Sequence, residues 1–163
     1  MITQQEIVSS LEQHNGIFFE IPDLCEYARK VTAFGKSKVI RKRDTREILS
    51  YILYYDNQPE IYITMIWTHP DYQGQGLMKS LFREILQTNA KDIRAEAHKH
   101  NPSCNIFLQM GFVVAKETKD TRIFLLRRTL AVMQPYLFPY IGYFHLISAS
   151  TLFVFYDDVA YKK

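Results

Sequence analysis

The stretch IYITMIWTHPDYQGQGLMKSLFREIL, residues 61–86, decides the fold. Residues 61–68 are mostly β-branched and aromatic, which is typical of a buried strand. A turn marked by proline and aspartate follows, and beyond it Leu77, Leu81 and Ile85 recur at the spacing of a helix with one buried face. The pattern predicts a strand, a loop and a helix in direct succession.

Gly74 and Gly76 lie where the predicted strand gives way to the predicted helix. Glycines let backbone N–H groups come close to a ligand, and a helix start adds unpaired donors and a partial positive charge. This combination is typical of a phosphate-binding loop, although a glycine-rich turn without a ligand is the alternative. A P-loop does not fit, because two apolar residues separate Gly76 from Lys79 and Ser80. A dinucleotide fingerprint does not fit either, because it needs a glycine at Lys79.

The loop resembles the pyrophosphate loop of the GNAT acyltransferases, whose pattern is Gln/Arg-x-x-Gly-x-Gly/Ala. Gln73 and Gly76 occupy two of its fixed positions, and Met78 stands where Gly or Ala is usual. The resemblance implies that acetyl-CoA (coenzyme A as carrier) is the acyl donor. The residues that it assigns to donor binding are Ile66, Trp67, Thr68, Gln73, Gly74, Gln75, Gly76, Leu77, Met78, Lys79, Asn101 and Phe107.

Residues 101–112, NPSCNIFLQMGF, resemble the late helix of the same family, which ends in Gly-Phe. Asn101 is offset by one residue from the asparagine that often contacts the pantetheine, and it is also predicted to cap a helix starting near Ser103. Many relatives place a tyrosine as general acid four residues before the glycine. Phe107 stands there and has no proton to give. The resemblance therefore assigns no general acid.

Acyl transfer to an amine needs a group that takes the amine proton and groups that polarise the thioester carbonyl. The resemblance implies that backbone N–H groups around residues 66–68 polarise the carbonyl. Glu96 and His98 lie two residues apart on a predicted strand over 92–98, so their side chains share a face. They are the catalytic candidates, because histidine can accept a proton near neutral pH. A hydrogen-bonded strand histidine without a catalytic role is the alternative for His98.

The rest of residues 1–129 predicts an α/β (α+β) fold, a mixed central sheet flanked by helices. Thr3 and Glu6 form a capping-box pattern before a first helix, and Leu24 begins the apolar repeat of a second. In the GNAT fold, which has this order of elements, the N-terminal helices border the acceptor site. Extended segments are predicted over 17–21, 36–46, 46–56, 92–98, 112–117 and 122–128.

Residues 36–46 carry a run of lysines and arginines. The run predicts either a basic wall near the coenzyme A phosphates or an anionic substrate, or a solvated edge strand on which lysines oppose aggregation. The sequence does not separate these alternatives.

Composition excludes several classes of function. A net charge of +3 is too small to indicate nucleic-acid binding, and no RNA-recognition pattern is present. No signal-peptide pattern and no apolar run of membrane-spanning length occurs, so we expect a cytoplasmic protein that does not enter a membrane. Cys25 and Cys104 are expected to be reduced thiols. His98, His100 and Cys104 lack a fourth ligand at sensible spacing, so no metal site is expected.

Residues 130–163 are more aromatic than the rest and form a second predicted domain. Their pattern predicts a strand over 130–133, a helix over 141–148 and a strand over 152–156. The segment MQPYLFPYIGYF, residues 133–144, resembles the opening of WbqC-like proteins, which are associated with bacterial surface-polysaccharide gene clusters. So short a fragment cannot enclose a core. Either the sequence belongs to a longer two-domain protein, or this segment packs on the first domain or on a second copy, and we expect the latter kind of burial, with a homodimer as one form of it.

The sequence as a whole predicts an acyl-CoA-dependent N-acyltransferase that moves acetyl from acetyl-CoA to a small-molecule primary amine. The WbqC-like resemblance implies an amino sugar as acceptor. The alternative is a non-catalytic acyl-CoA-binding or scaffolding domain fused to a sugar-pathway module.

Overall fold

The computed structural model describes residues 1–12, 21–133, 141–150 and 152–155. The chain divides into two compact units, residues 1–126 and residues 127–163. The first unit contains the helices α1 (Gln4–Glu12), α2 (Leu24–Phe34), α3 (Leu77–Thr88) and α4 (Ser103–Gln109). Its strands are β1 (Lys36–Arg41), β2 (Ile48–Asp56), β3 (Glu60–Thr68), β4 (Asp92–His98), β5 (Val113–Glu117) and β6 (Thr121–Leu126).

These strands form one sheet in the order β1-β2-β3-β4-β6-β5. All neighbouring strands are antiparallel except β3 and β4, which are parallel. The crossover between β3 and β4 contains α3, as a parallel connection requires. The predicted mixed sheet flanked by helices is confirmed.

The two parallel strands part midway. Their ladder joins only residues 60–63 of β3 to residues 92–95 of β4. Beyond Ile63, β3 runs on to Thr68 and β4 runs on to His98 without pairing to each other. The second half of β3 therefore presents an open backbone edge toward a gap in the sheet.

Each face of the sheet has its own core. On one face α3 and α4 contribute Phe82 and Phe107 to a cluster with Ile63. On the other face α1 and α2 contribute Leu11 and Val31, among others, to a second cluster. Helices therefore cover both faces of the sheet in which the two strands part.

Strand ends differ from prediction around the β1–β2 hairpin. The strand predicted over 46–56 begins only at Ile48, because Arg46 has a φ of 58°, a left-handed conformation that no strand accommodates. The strand predicted over 36–46 ends at Arg41, and the Lys42 N–H donates to the Glu47 carbonyl across the turn. Most of the extended piece predicted over 17–21 lies outside the described residues.

The second unit contains β7 (Leu130–Met133), α5 (Ile141–Ala149) and β8 (Leu152–Phe155), as predicted. The two strands pair in parallel, and the Tyr143 ring lies 5.5 Å from the Phe153 ring. Among the described helices of the whole chain, none has the length and apolar character to cross a bilayer.

The predicted capping box is confirmed at the start of α1. The Thr3 N–H donates to a Glu6 carboxylate oxygen at 2.8 Å, and the Glu6 N–H donates to Thr3 Oγ1 at 3.3 Å. The same carboxylate accepts two hydrogen bonds from the Arg41 guanidinium, at 2.6 and 3.0 Å. This pair ties α1 to β1.

The Glu6–Arg41 pair predicts acid-dependent stability. Hydrogen bonds from Arg41 lower the pKa of Glu6 to about 2 from 4.5. Its stabilising contribution is therefore present above about pH 4.5 and is lost as the pH falls toward about 2. Because about a third of the Glu6 side chain is exposed, we expect Glu6→Gln to lower the free energy of unfolding at pH 7 by about 1 kcal/mol.

Urea unfolding at pH 7 and at pH 3 checks this prediction. The difference between wild type and Glu6→Gln should shrink at pH 3. Glu12→Gln, at the other end of α1 and without an ion pair among the described residues, is the matched control and should change little. An equal loss at both pH values would contradict the role given to the pair.

Candidate functional site

The two glycines of the loop lie between β3 and α3, and both adopt a conformation that suits glycine. Gly74 and Gly76 both have a φ of +76°, a left-handed conformation that favours glycine. No atom lies within 4 Å of where a Cβ would stand at either residue, so the space beside them is open. Gly76 is the residue that precedes the first turn of α3.

Backbone donors are available along this loop. Within the described part of the chain, the N–H groups of residues 74–79 have no hydrogen-bond acceptor, and the first amide of the helix that is bonded is Ser80, to the Gly76 carbonyl at 3.0 Å. Two side-chain hydrogen bonds stabilise the loop. Gln73 Nε2 donates to the Thr68 carbonyl and Gln75 Nε2 to the Asp71 carbonyl, each at 3.4 Å. A run of free amides at the positive end of a helix suits an anion such as a diphosphate.

A cavity of about 550 Å³ lies beside the loop and the open edge of β3. Of its lining residues, Lys79 alone carries a charge. The predicted donor-binding residues that line it are Ile66, Trp67, Thr68, Gln73, Gly74, Gly76, Leu77, Met78, Lys79 and Asn101. Gln75 and Phe107 do not line it. This volume is in the range of small-molecule sites.

Met78 departs from the usual Gly or Ala, and its position explains how the loop tolerates it. Its side chain is only 8% exposed and packs in the core cluster with Leu81 and Phe82. The side chain therefore packs largely into the protein, although part of it lines the cavity.

Phe107 is a core residue in this structure. It is 3% exposed, and its ring lies 5.3 Å from that of Phe112 and 5.2 Å from that of Phe124. Asn101 lines the cavity, and its Oδ1 accepts a hydrogen bond from the Ser103 N–H at 2.9 Å. Asn101 therefore steadies the start of α4, which begins at Ser103.

Several cavity-lining residues are ones that the sequence did not single out. Tyr72 belongs to the turn before the loop, so its position in sequence could have suggested it. Leu11 of α1 and Met65 of β3 line the cavity because α1 packs against this face of the sheet. No local pattern marks either of them.

Glu96 and His98 share one face of β4, just past the point where β3 and β4 part. Both side chains are exposed, and neither lines the cavity. Glu96 Oε1 accepts a hydrogen bond from Thr121 Oγ1 at 3.0 Å, and the His98 ring lies 5.6 Å from the His100 ring. The gap between the strands thus has two ionisable side chains near its rim.

Other reactive groups are held in structural contacts. Burial raises the pKa of the Cys104 thiol, and its Sγ donates to the His98 carbonyl at 3.3 Å, so it is a poor nucleophile. The described residues contain no cluster of His, Cys, Asp or Glu suited to a metal ion.

The basic run over 36–46 belongs to an edge strand and its turn, and none of its residues lines the cavity. Lys36, Lys38 and Arg41 form ion pairs with carboxylates elsewhere in the first unit. This arrangement favours the edge-strand interpretation of the run.

Comparison with known families gives two matches. Residues 9–112 match the acetyltransferase (GNAT) family, and residues 134–163 match the WbqC-like protein family. No curated protein sequence matches the chain.

Solved acetyltransferases share the fold. The ribosomal-protein-S18-alanine N-acetyltransferase of Escherichia coli has a TM-score of 0.60 at 17% identity, over 77% of this chain and 89% of that one. Arabidopsis thaliana NAA60 in complex with acetyl-CoA has a TM-score of 0.58 at 16% identity, over 77% and 94%. An acetyltransferase from Thermus thermophilus has a TM-score of 0.57 at 17% identity, over 76% and 86%.

Proposed function

The chain belongs to the GNAT acetyltransferase family, and we propose that its first unit transfers the acetyl group of acetyl-CoA to a primary amine. The observation that carries the proposal is the run of unbonded amides at residues 74–79 beside the cavity. A diphosphate is the part of coenzyme A that such amides suit. Lys79, the one charged residue among those that line the cavity, adds a countercharge.

The rest of the donor suits the gap between β3 and β4. The open edge of β3 beyond Ile63 offers backbone N–H and C=O groups to the amides of a pantetheine arm, as one strand does to another. An N–H of residues 66–68 is the proposed donor to the thioester carbonyl oxygen. Such a donor stabilises the negative charge that develops on that oxygen during attack.

The chemical step needs an uncharged amine. Its nitrogen attacks the thioester carbon, the carbon–sulfur bond breaks, and coenzyme A leaves as the thiolate. We assign the removal of the amine proton to His98, directly or through water, and the attraction of the ammonium form of the acceptor to Glu96. The support for this assignment is that both side chains lie on one face of β4, just past the point where its ladder with β3 ends.

Phe107 supplies no acid to the leaving group, because its ring has no proton to donate and lies in the core. A thiolate is a stable leaving group near neutral pH, since the pKa of a simple thiol is about 8.5. The proton that the amine loses can therefore reach the sulfur through solvent.

The proposed acceptor is the amine of an amino sugar. The support is the match of residues 134–163 to the WbqC-like family, a resemblance that implies a surface-polysaccharide pathway. A thiol-release assay with acetyl-CoA and a panel of free and nucleotide-linked amino sugars tests this, with simple alkyl amines as the control panel. Release above the hydrolysis rate with amino sugars alone is the expected result. Binding of acetyl-CoA without release by any amine would favour the non-catalytic alternative.

We also propose that the second unit mediates a homodimer. Helix α5 has no charged residue, and it leaves Ile141 73% and Phe144 55% exposed. Exposed apolar side chains in one patch are typical of an interface. Light scattering should give the mass of two chains for wild type and of one chain for Ile141→Glu/Phe144→Glu, whereas His145→Glu, on the same helix, should remain dimeric. A monomeric wild type would contradict the proposal.

A further inference from the structure

The point where β3 leaves β4 coincides with an extra residue in β3. On the other side of β3, Leu53 of β2 pairs with Met65, but the next residue, Tyr54, pairs with Ile63. Thr64 therefore has no partner and forms a β-bulge. Such a bulge bends and twists its strand, and here the ladder to β4 ends at Ile63, immediately before it.

Side-chain hydrogen bonds hold this bulge in place. Thr64 Oγ1 donates to the Leu53 carbonyl at 3.2 Å, which fixes the unpaired residue to β2. The Tyr27 hydroxyl, from α2, donates to Thr64 Oγ1 at 3.0 Å. A helix on one face of the sheet thus reaches the one residue of β3 that breaks the register.

The Tyr27 hydroxyl is suited to this task because it stays protonated. Burial raises the pKa of Tyr27 to about 12, so it remains a hydrogen-bond donor throughout the neutral range. Thr64 Oγ1 is engaged both as donor and as acceptor, so the threonine is fixed in one rotamer.

We propose that Tyr27 and Thr64 are positioning residues for acyl transfer: their hydrogen bonds fix the bulge that keeps β3 apart from β4 and aims the open edge of β3 at the thioester carbonyl. The inference rests on the proposed function. Through the hydrogen bond from Tyr27 to Thr64, α2 would fix the position of the β3 edge that polarises the thioester carbonyl.

The geometry predicts a separation of kinetic effects. The bulge lies in the middle of β3, whereas the diphosphate anchor at residues 74–79 lies beyond the C-terminal end of this strand, so loss of the hydroxyls should leave most of the donor affinity intact. The open edge of β3 would move relative to the carbonyl, and a displacement of about 1 Å can cost about 100-fold in rate. We expect a fall of about tenfold to 100-fold in kcat.

The test compares Tyr27→Phe and Thr64→Val, which remove one hydroxyl each, with Thr64→Ser, which keeps it. Both hydroxyl deletions should lower kcat while the KM for acetyl-CoA and the calorimetric Kd for coenzyme A stay within about twofold. Thr64→Ser should retain wild-type kcat. The double variant Tyr27→Phe/Thr64→Val should be no slower than Thr64→Val alone, because the two hydroxyls act as one unit.

Tyr51→Phe is the matched control. Tyr51 is also a buried tyrosine, but its hydroxyl bonds to Ser10 Oγ of α1 at 2.8 Å and does not contact Thr64. We expect this variant to lose stability without losing kcat. Circular dichroism of all variants establishes that they are folded.

The possible results distinguish failure of the positioning role of Tyr27 and Thr64 from failure of the proposed acetyltransferase function. Unchanged kcat in Tyr27→Phe and Thr64→Val, or an equal fall in Tyr51→Phe, would overturn the inference while leaving the proposed function in place. A wild-type protein that neither binds acetyl-CoA nor releases thiol would overturn the proposed function and this inference with it.

Discussion

Gly76→Asp should lower the affinity for acetyl-CoA by at least about 100-fold, as measured by calorimetry with coenzyme A. The free amides of residues 74–79 surround this position, and a carboxylate there would occupy the space of the donor diphosphate and repel its charge. Any side chain at this positive φ strains the backbone, so the charge effect is measured against a variant with similar strain. The Gly76 φ of +76° is one that Asp and Asn adopt more readily than other side chains, and no atom stands within 4 Å of the new Cβ.

Gly76→Asn is the matched control, because it has nearly the same shape and the same backbone preference without the charge. It should weaken binding by no more than about tenfold. Equal affinities for the Asp and Asn variants would show that no anionic part of the donor approaches Gly76. Wild-type affinity for coenzyme A in both variants would show that the loop is not part of the donor-binding site.

His98→Gln should lower kcat by about 100-fold with little change in the KM for acetyl-CoA, because positioned general bases contribute about 100-fold or more to proton transfer. The side chain lies on β4 past the end of its ladder with β3, where an amine entering the gap would meet it. Glutamine retains hydrogen bonding but cannot accept the proton. Steady-state kinetics with the best amino sugar from the acceptor panel provide the measurement.

His100→Gln is the control for this prediction. The His100 ring lies 5.6 Å from the His98 ring and is likewise exposed, yet it stands beyond the end of β4. We expect near wild-type kcat. Equal losses in the two variants would indicate a general effect on this end of β4, and no loss in His98→Gln would leave Glu96 as the remaining candidate for proton removal.

Local sequence patterns were sufficient for the central part of the molecule. The apolar strand, the paired glycines and the helical repeat from Leu77 correspond to β3, the left-handed loop and α3 at nearly the predicted boundaries. These features depend on neighbouring residues, so they can be read from one sequence. The capping box at Thr3 and Glu6 is predictable for the same reason.

Features that depend on contacts distant in sequence could not be predicted. The bulge at Thr64 results from its pairing with β2 and from the hydroxyl of Tyr27, which is 37 residues away. The family pattern suggested a donor role for Phe107, yet its ring packs in the core, 5.2 Å from the ring of Phe124 in β6. The late start of the strand predicted from Arg46 reflects one left-handed residue in a charged turn.

The WbqC-like segment is only partly described. Strands β7 and β8 and helix α5 agree with the sequence prediction, while residues 134–140 and 156–163, which carry much of the resemblance, lie outside the described residues.

Amide chemical shifts of the ¹⁵N-labelled protein report directly on whether a diphosphate binds at residues 74–79. Titration with coenzyme A should move the amide signals of residues 74–79, whose N–H groups have no acceptor within the described protein. Pantetheine, which lacks the diphosphate, should leave those signals in place while it moves signals along β3. Saturation with coenzyme A that leaves the signals of Gly74 and Gly76 unmoved would contradict the account, because no diphosphate would then be bound where the sheet meets α3.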